Sequence, residues 1–206
     1  MSFKSVSFDR KKSVFVKTLK KRVDNYFSEN KISKHANFNM FLKTILLILL
    51  YFGSYSLLYV FNASYFSIIL WFAMGFGMAG IGMSVMHDAN HGAYSSNESV
   101  NRWVGYSLNL VGGTVSNWKT QHNVLHHTYT NIAGLDEDID TKLALKLSPH
   151  GKVRKVHRYQ WIYAFFLYTI LTLYWSLLKD LVQFFHYKRE GLNKRPAGKN
   201  LVWLAK

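Results

Sequence analysis

Two long runs without one charged side chain, separated by three residues, constrain this chain more than anything else in it. Thr44–Phe61 reads TILLILLYFGSYSLLYVF and extends upstream to Met40, and Tyr65–Met86 follows the link Asn62-Ala63-Ser64. A hydrocarbon core of ~30 Å takes ~20 helical residues to cross, so both runs reach spanning length. Helices are expected because the bilayer offers the backbone no other hydrogen-bond partner. So short a link forces an antiparallel helical hairpin, with spans over about 41–61 and 65–86. The overall composition hides this: 49% apolar and 18% charged residues resemble a soluble average. The apolar residues are bunched, and most charges lie between the bunches. Without any Cys there is no disulfide framework, thiolate metal site, Fe–S cluster or c-type haem attachment, and a secreted mini-protein is excluded.

Lys and Arg number 26 against 11 Asp and Glu. Residues 1–39 carry many of them, including Lys11-Lys12 and Lys20-Lys21-Arg22, and are read as a basic cytoplasmic arm. A secretory leader would place its apolar stretch much nearer Met1. Val14, Leu19, Val23, Tyr26 and Phe27 share one loose helical face. The arm therefore reads as solvated or as a helix on anionic headgroups, in preference to nucleic-acid binding. Its charge places Met1 in the cytoplasm and returns the chain there just after Met86. A third apolar run, Trp161–Leu178, has basic clusters on both sides, so one crossing leaves a cluster outside. A membrane-embedded helix of open depth is expected over about 161–178. Gly75, Ala79 and Gly82 share a face of the second span and suggest close helix packing there.

Five of the nine His fall between positions 87 and 127, as HDANH (His87, His91) and HNVLHH (His122, His126, His127). On a helix, residues four apart stack on one face with Cβ atoms ~6 Å apart, which lets two imidazoles address one metal. His127 lies about 100° around from His126 and can reach a second metal or another side of the site. Neutral imidazole suits Fe, Zn, Cu and Ni. One such pair is unremarkable on a surface. Two pairs on the cytoplasmic membrane face point to a metal site. HExxH is absent, as are ExxH, GxSxG and a P-loop, so zincin and ferritin-like carboxylate sites are not built here. Asp88, beside His87, and Asp136 and Asp138, from the acidic stretch after His127, suit the role of carboxylates that orient metal-bound imidazoles. Glu137 and Asp140 belong to the same stretch. Trp103, Tyr106, Trp118 and Tyr129 read as interface anchors, and His35, His150, His157 and His186 as non-ligands. The fold class is all-α, with multi-pass membrane helices and cytoplasmic histidine-box helices.

HDANH with Gly92-Ala93-Tyr94, and NWKTQHNVLHHTYTN (Asn117–Asn131) with its acidic tail, resemble the first two histidine boxes of the membrane fatty acid desaturases. The likeness is to the front-end, linoleoyl-CoA type in its bacterial form. It implies two non-haem iron ions, with His87, His91, His122, His126 and His127 as ligands and individual catalytic residues unassigned. It implies O2 as cosubstrate and electrons from a separate ferredoxin or cytochrome b5, since the arm shows no haem-binding motif. The substrate would be a fatty acyl chain linked to CoA, a carrier protein or a lipid, and the setting a bacterial cytoplasmic membrane. The family's third box, HxxHH or QxxHH, has no counterpart between His127 and Lys206. The expectation is that residues 40–206 are the N-terminal part of a longer desaturase domain, inactive alone. A lipid hydroxylase shares both boxes. A non-enzymatic metal-binding membrane protein is the reading for a chain complete at 206, whereas a transporter would carry ionisable groups in its spans.

Overall fold

The computed structural model describes residues 6–9, 13–62, 64–139 and 145–192, and among these there is no strand. The described residues up to Ser107 form one compact unit and those from Leu108 onward another.

The first unit opens with α1 (Val14–Glu29), none of whose residues is buried. In the link after it, Lys34 pairs with Asp24 and sits 5.9 Å over the Phe27 ring. Asn37 then caps α2 (Phe38–Val60), its side-chain oxygen accepting the Met40 N–H at 3.1 Å. After the short link, α3 runs unbroken over Tyr65–Asn90. At ~1.5 Å per residue both helices exceed the ~30 Å hydrocarbon core. Among the described residues they are two of three helices long and apolar enough to cross a membrane.

The face that joins α2 to α3 differs from the expected one. A Cβ on Gly77 would lie 2.8 Å from the Tyr51 backbone nitrogen, and one on Gly80 would enter the Leu47 side chain, whereas Gly75 and Gly82 face open space. Ala79 is exposed. The span carries two interleaved stripes of small residues, and periodicity alone does not decide which of them meets α2.

Near its end α3 winds more loosely over Ile81–Val85, where the Met86 N–H reaches the Ile81 carbonyl five residues back. Ile81, Val85 and Met86 are buried, so this wide turn re-aims the residues that follow it. The helix stops at Gly92, with φ +75°, through a paired C-cap: the Gly92 N–H donates to Ala89 O (3.0 Å) and the Ala93 N–H to Asp88 O (2.8 Å). Tyr94 is buried at once, donating to Thr44 Oγ1 at 2.9 Å and meeting Phe41 edge to face, which pins the helix exit to the start of α2. Next, α4 (Glu98–Gly105) sends Asn101 back to the Ser95 and Gly92 backbone. Trp103 and Tyr106 remain exposed, as anchors require.

In the second unit α5 covers residues 115–129, and its middle, Lys119–His126, is again π-wound. The last helix, α6 (Lys155–Arg189), is far longer than the expected 161–178 and forms the third candidate span. It continues past Lys179-Asp180 because both charges find partners: Lys179 lies 4.2 Å over the Trp175 ring, and Asp180 is claimed by α5 and the residue before it. Gly112 and Gly113 allow this contact, since a Cβ at either would meet Ser176 or Trp175. Leu125 and Tyr129 of α5 form a small core with Tyr187 of α6, so Tyr129 is a core residue and not an interface anchor.

Candidate metal centre

The first histidine pair sits on the last turn of α3. His87 lies within that turn and His91 is its C-cap, with ring centroids 4.5 Å apart. The wide turn before them and the Gly92 cap after them fix both ends. Asn90, on the same turn, donates to Gly105 O of α4 at 3.2 Å, and Gly105 has no room for a Cβ against it. Asp88 Oδ1 lies 3.3 Å from His87 Nδ1, but both side chains are more than a third exposed. A contact of this length in water is a weak constraint on the imidazole.

The second group is built differently. Trp118, His122 and His126 stack along α5, with centroid spacings of 4.5 and 5.3 Å. The π winding also brings residues five apart together, so His127 Nε2 lies 3.2 Å from His122 Nε2. A regular helix would turn His127 away from this pair, and Trp118 is a buried stacking partner here instead of an interface anchor.

After α5 the chain reverses at Asn131, whose φ of +64° is one that Asn tolerates better than most residues. The reversal returns the acidic stretch to the helix. Asp136, fully buried, places Oδ1 3.0 Å from His126 Nδ1 and accepts the N–H groups of Asn131 (2.9 Å) and Asp138 (3.0 Å). Burial pushes its carboxyl up, but these three donors outweigh burial and hold it below the usual carboxylate range. Asp138 Oδ2 lies 3.2 Å from the same His126 nitrogen. With Nδ1 engaged by carboxylates, His126 presents Nε2 as its free lone pair, the arrangement a metal-binding imidazole requires. His122, His126 and Asp138 each offer a ligand atom within 4.8 Å of the others, close enough to hold a metal ion. Asp140 lies outside the described residues.

A polar layer from α6 supports this group, and its members carried no motif. Thr114 Oγ1 donates to Asp180 Oδ2 at 2.6 Å, and Asn117 Nδ2 donates to Asp180 O at 2.9 Å. Gln183 donates to Gln121 (2.8 Å) and Glu137 (3.0 Å), while Gln121 donates to Asp138 (2.7 Å). His186, read from sequence as isolated, stands 3.8 Å from Glu137. The one available signal was an Asp and a Gln three residues apart just after the apolar run 161–178, a pattern that suits buried partners. A cavity of about 1010 Å³ lies elsewhere in this unit, between Lys146 and Gln160, and none of the box histidines lines it.

The model of the family described as "Fatty acid desaturase" matches residues 63–205. An sn-1 linoleoyl-lipid 6-desaturase of Synechocystis sp. is 36% identical over 174 residues, covering 84% of this chain and 48% of the relative. A protein of the same name from Arthrospira platensis is 35% identical over 182 residues, covering 85% and 48%. An acyl-lipid (8-3)-desaturase of Physcomitrium patens is 36% identical over 188 residues, covering 86% and 38%. The chain thus spans about half the length of the curated cyanobacterial relatives it matches. No solved structure matches it.

Proposed function

The chain belongs to the fatty acid desaturase family, and from that premise we propose that it supplies the first two histidine boxes of an acyl-chain desaturase. Such an enzyme uses O2 and two electrons to convert adjacent methylenes into a cis double bond. The substrate we assign is an acyl chain carried on a lipid, the class named in the Synechocystis and Physcomitrium relatives. The proposed domain covers residues 40–206 behind a basic cytoplasmic arm. In this reading α2, α3 and α6 make a multi-pass protein of a bacterial cytoplasmic membrane, with both boxes on the cytoplasmic face. Electrons come from a ferredoxin or cytochrome b5.

The observation that carries the reading is His126 clamped at Nδ1 by the buried Asp136, with two further imidazoles beside it. A donor set of this kind fits non-haem iron. His87, His91, His122, His126 and His127 are the proposed ligands, and Asp88, Asp136 and Asp138 their orienting carboxylates. When bound, iron supplies the oxidising power that an unactivated C–H bond needs, since such a bond offers nothing to acid–base attack. The chain's own residues do the positioning. Asp136 fixes the His126 tautomer, Trp118 sets the His122 ring plane, and the α6 layer holds α5 in place. A lipid hydroxylase could use the same boxes, and the product separates the two.

The test is expression of the full-length protein in a host of known lipid composition, with fatty acid analysis with and without O2. An O2-dependent double bond is expected, and an added hydroxyl would make it a hydroxylase. His126→Ala should abolish product and lower bound iron while membrane insertion persists. Unchanged iron and product in that variant would remove the site assignment.

A further inference from the structure

The arm before the first span has its own architecture. At about 100° per residue, Phe15, Val16, Leu19, Val23, Tyr26 and Phe27 of α1 fall within an arc of roughly 120°. No residue of the helix is buried, and Phe15 is 75% exposed. Arg22 and Lys20 lie at the two edges of that arc, with Lys17 and Lys21 on the far side. Among the described residues none of these four cations forms an ion pair. Asp24, by contrast, is taken by Lys34, which leaves the outward charge of the helix more positive. Five of these six side chains, all but the half-buried Phe27, are exposed, and apolar side chains left in water on one face are costly. Eight residues, Asn30–Asn37, separate the helix from the start of α2.

We propose that α1 lies in the headgroup layer of an anionic bilayer, its apolar arc towards the acyl chains and Lys20 and Arg22 on lipid phosphates. Long basic side chains at the edges of an apolar arc can bury their stems and keep the charge at the phosphate level. The proximity of a span supplies the surface, and charge complementarity selects anionic lipid over neutral. The inference rests on α2 and α3 being membrane spans and says nothing about desaturation, so the two readings fail separately.

The absence of Cys allows single-site labelling. The chain carrying Leu19→Cys or Asn25→Cys, tagged with an environment-sensitive fluorophore, is reconstituted into vesicles of phosphatidylcholine alone or mixed with phosphatidylglycerol. Carbonate-resistant pelleting reports insertion. In the mixed vesicles, position 19 should be shielded from aqueous iodide and quenched by lipid-borne quencher, while position 25 stays open to iodide. Adding Lys20→Gln and Arg22→Gln should shift the arm towards its free state by roughly fivefold per charge removed. Equal iodide access at both positions in an inserted chain overturns the proposal. So does shielding that is the same in neutral vesicles, or that arises only when an acidic soluble protein is added. A chain that fails to insert overturns both this inference and the membrane reading.

Discussion

The two histidine boxes present the same residue type at the same spacing and are held in different ways. The first relies on its neighbours in sequence: a wide turn just before it, a glycine cap just after it, and an acid at the adjacent position, half in water. The second relies on distance. Its carboxylate arrives through a chain reversal ten residues on, and its helix is secured by side chains more than 60 residues away on α6. A ring held by a fully buried acid with three donors has one orientation, whereas a ring beside an exposed acid can exchange with solvent. The buried clamp on His126 therefore orients its ring more firmly than the half-exposed Asp88 orients His87.

The contrast breaks most readily at the carboxylates. Asp136→Asn should lower metal affinity by about 10–100-fold, whereas Asp88→Asn should change it severalfold at most; metal titration of both purified variants measures the difference. Equal losses would erase the asymmetry. Asp136 also has a pH signature. Its lowered folded value means that its stabilising contribution is present above the unfolded carboxylate value of ~3.9. That contribution is lost as pH falls from there through the folded value. The Asp136→Asn variant should lack this acid-dependent loss in its unfolding profile.

Asp180→Ala comes next. It strands the side chain of Thr114 and one contact of Asn117, at a cost of ~1–3 kcal/mol, and should loosen the second box without altering the first. Protection of the α5 amides by hydrogen exchange should fall, while that of residues 86–94 should not. Gly77→Ala, which forces the α2 backbone to move, should destabilise the hairpin by ~1–3 kcal/mol. Gly75→Ala, into open space, should be near neutral, and thermal unfolding of the two in detergent compares them. Of the destabilising changes, Gly92→Ala has the smallest expected effect, at ~1 kcal/mol for a side chain in the left-handed region. It should nevertheless disturb the first box alone, visible as faster exchange of the Gly92 and Ala93 amides.

The two long apolar helices were legible because a helix of spanning length needs only an uninterrupted apolar run, a property of neighbouring residues. The candidate ligands were legible as residues for a similar reason: paired histidines at helical spacing are a local pattern. Two things resisted reading. The small-residue stripe that packs, Gly77 with Gly80, was one of two equally good stripes. The end of α6 looked too charged to continue an apolar helix, because partners for Lys179 and Asp180 lie in its own previous turn and on the far helix.

What the sequence determined by itself was the membrane-helical class, the hairpin, the basic arm and the residues of the two boxes, since each follows from composition or spacing within a short window. Tertiary structure alone decided the rest. The π winding that turns His127 towards His122 is a backbone state with no sequence signature here. The choice of Asp136 as the buried clamp on His126, among several neighbouring acids, came from the reversal at Asn131. The α6 layer of Asp180 and Gln183 depends on two distant segments meeting. A buried polar group takes its meaning from its partners, and partners far apart in the chain are brought together only by folding.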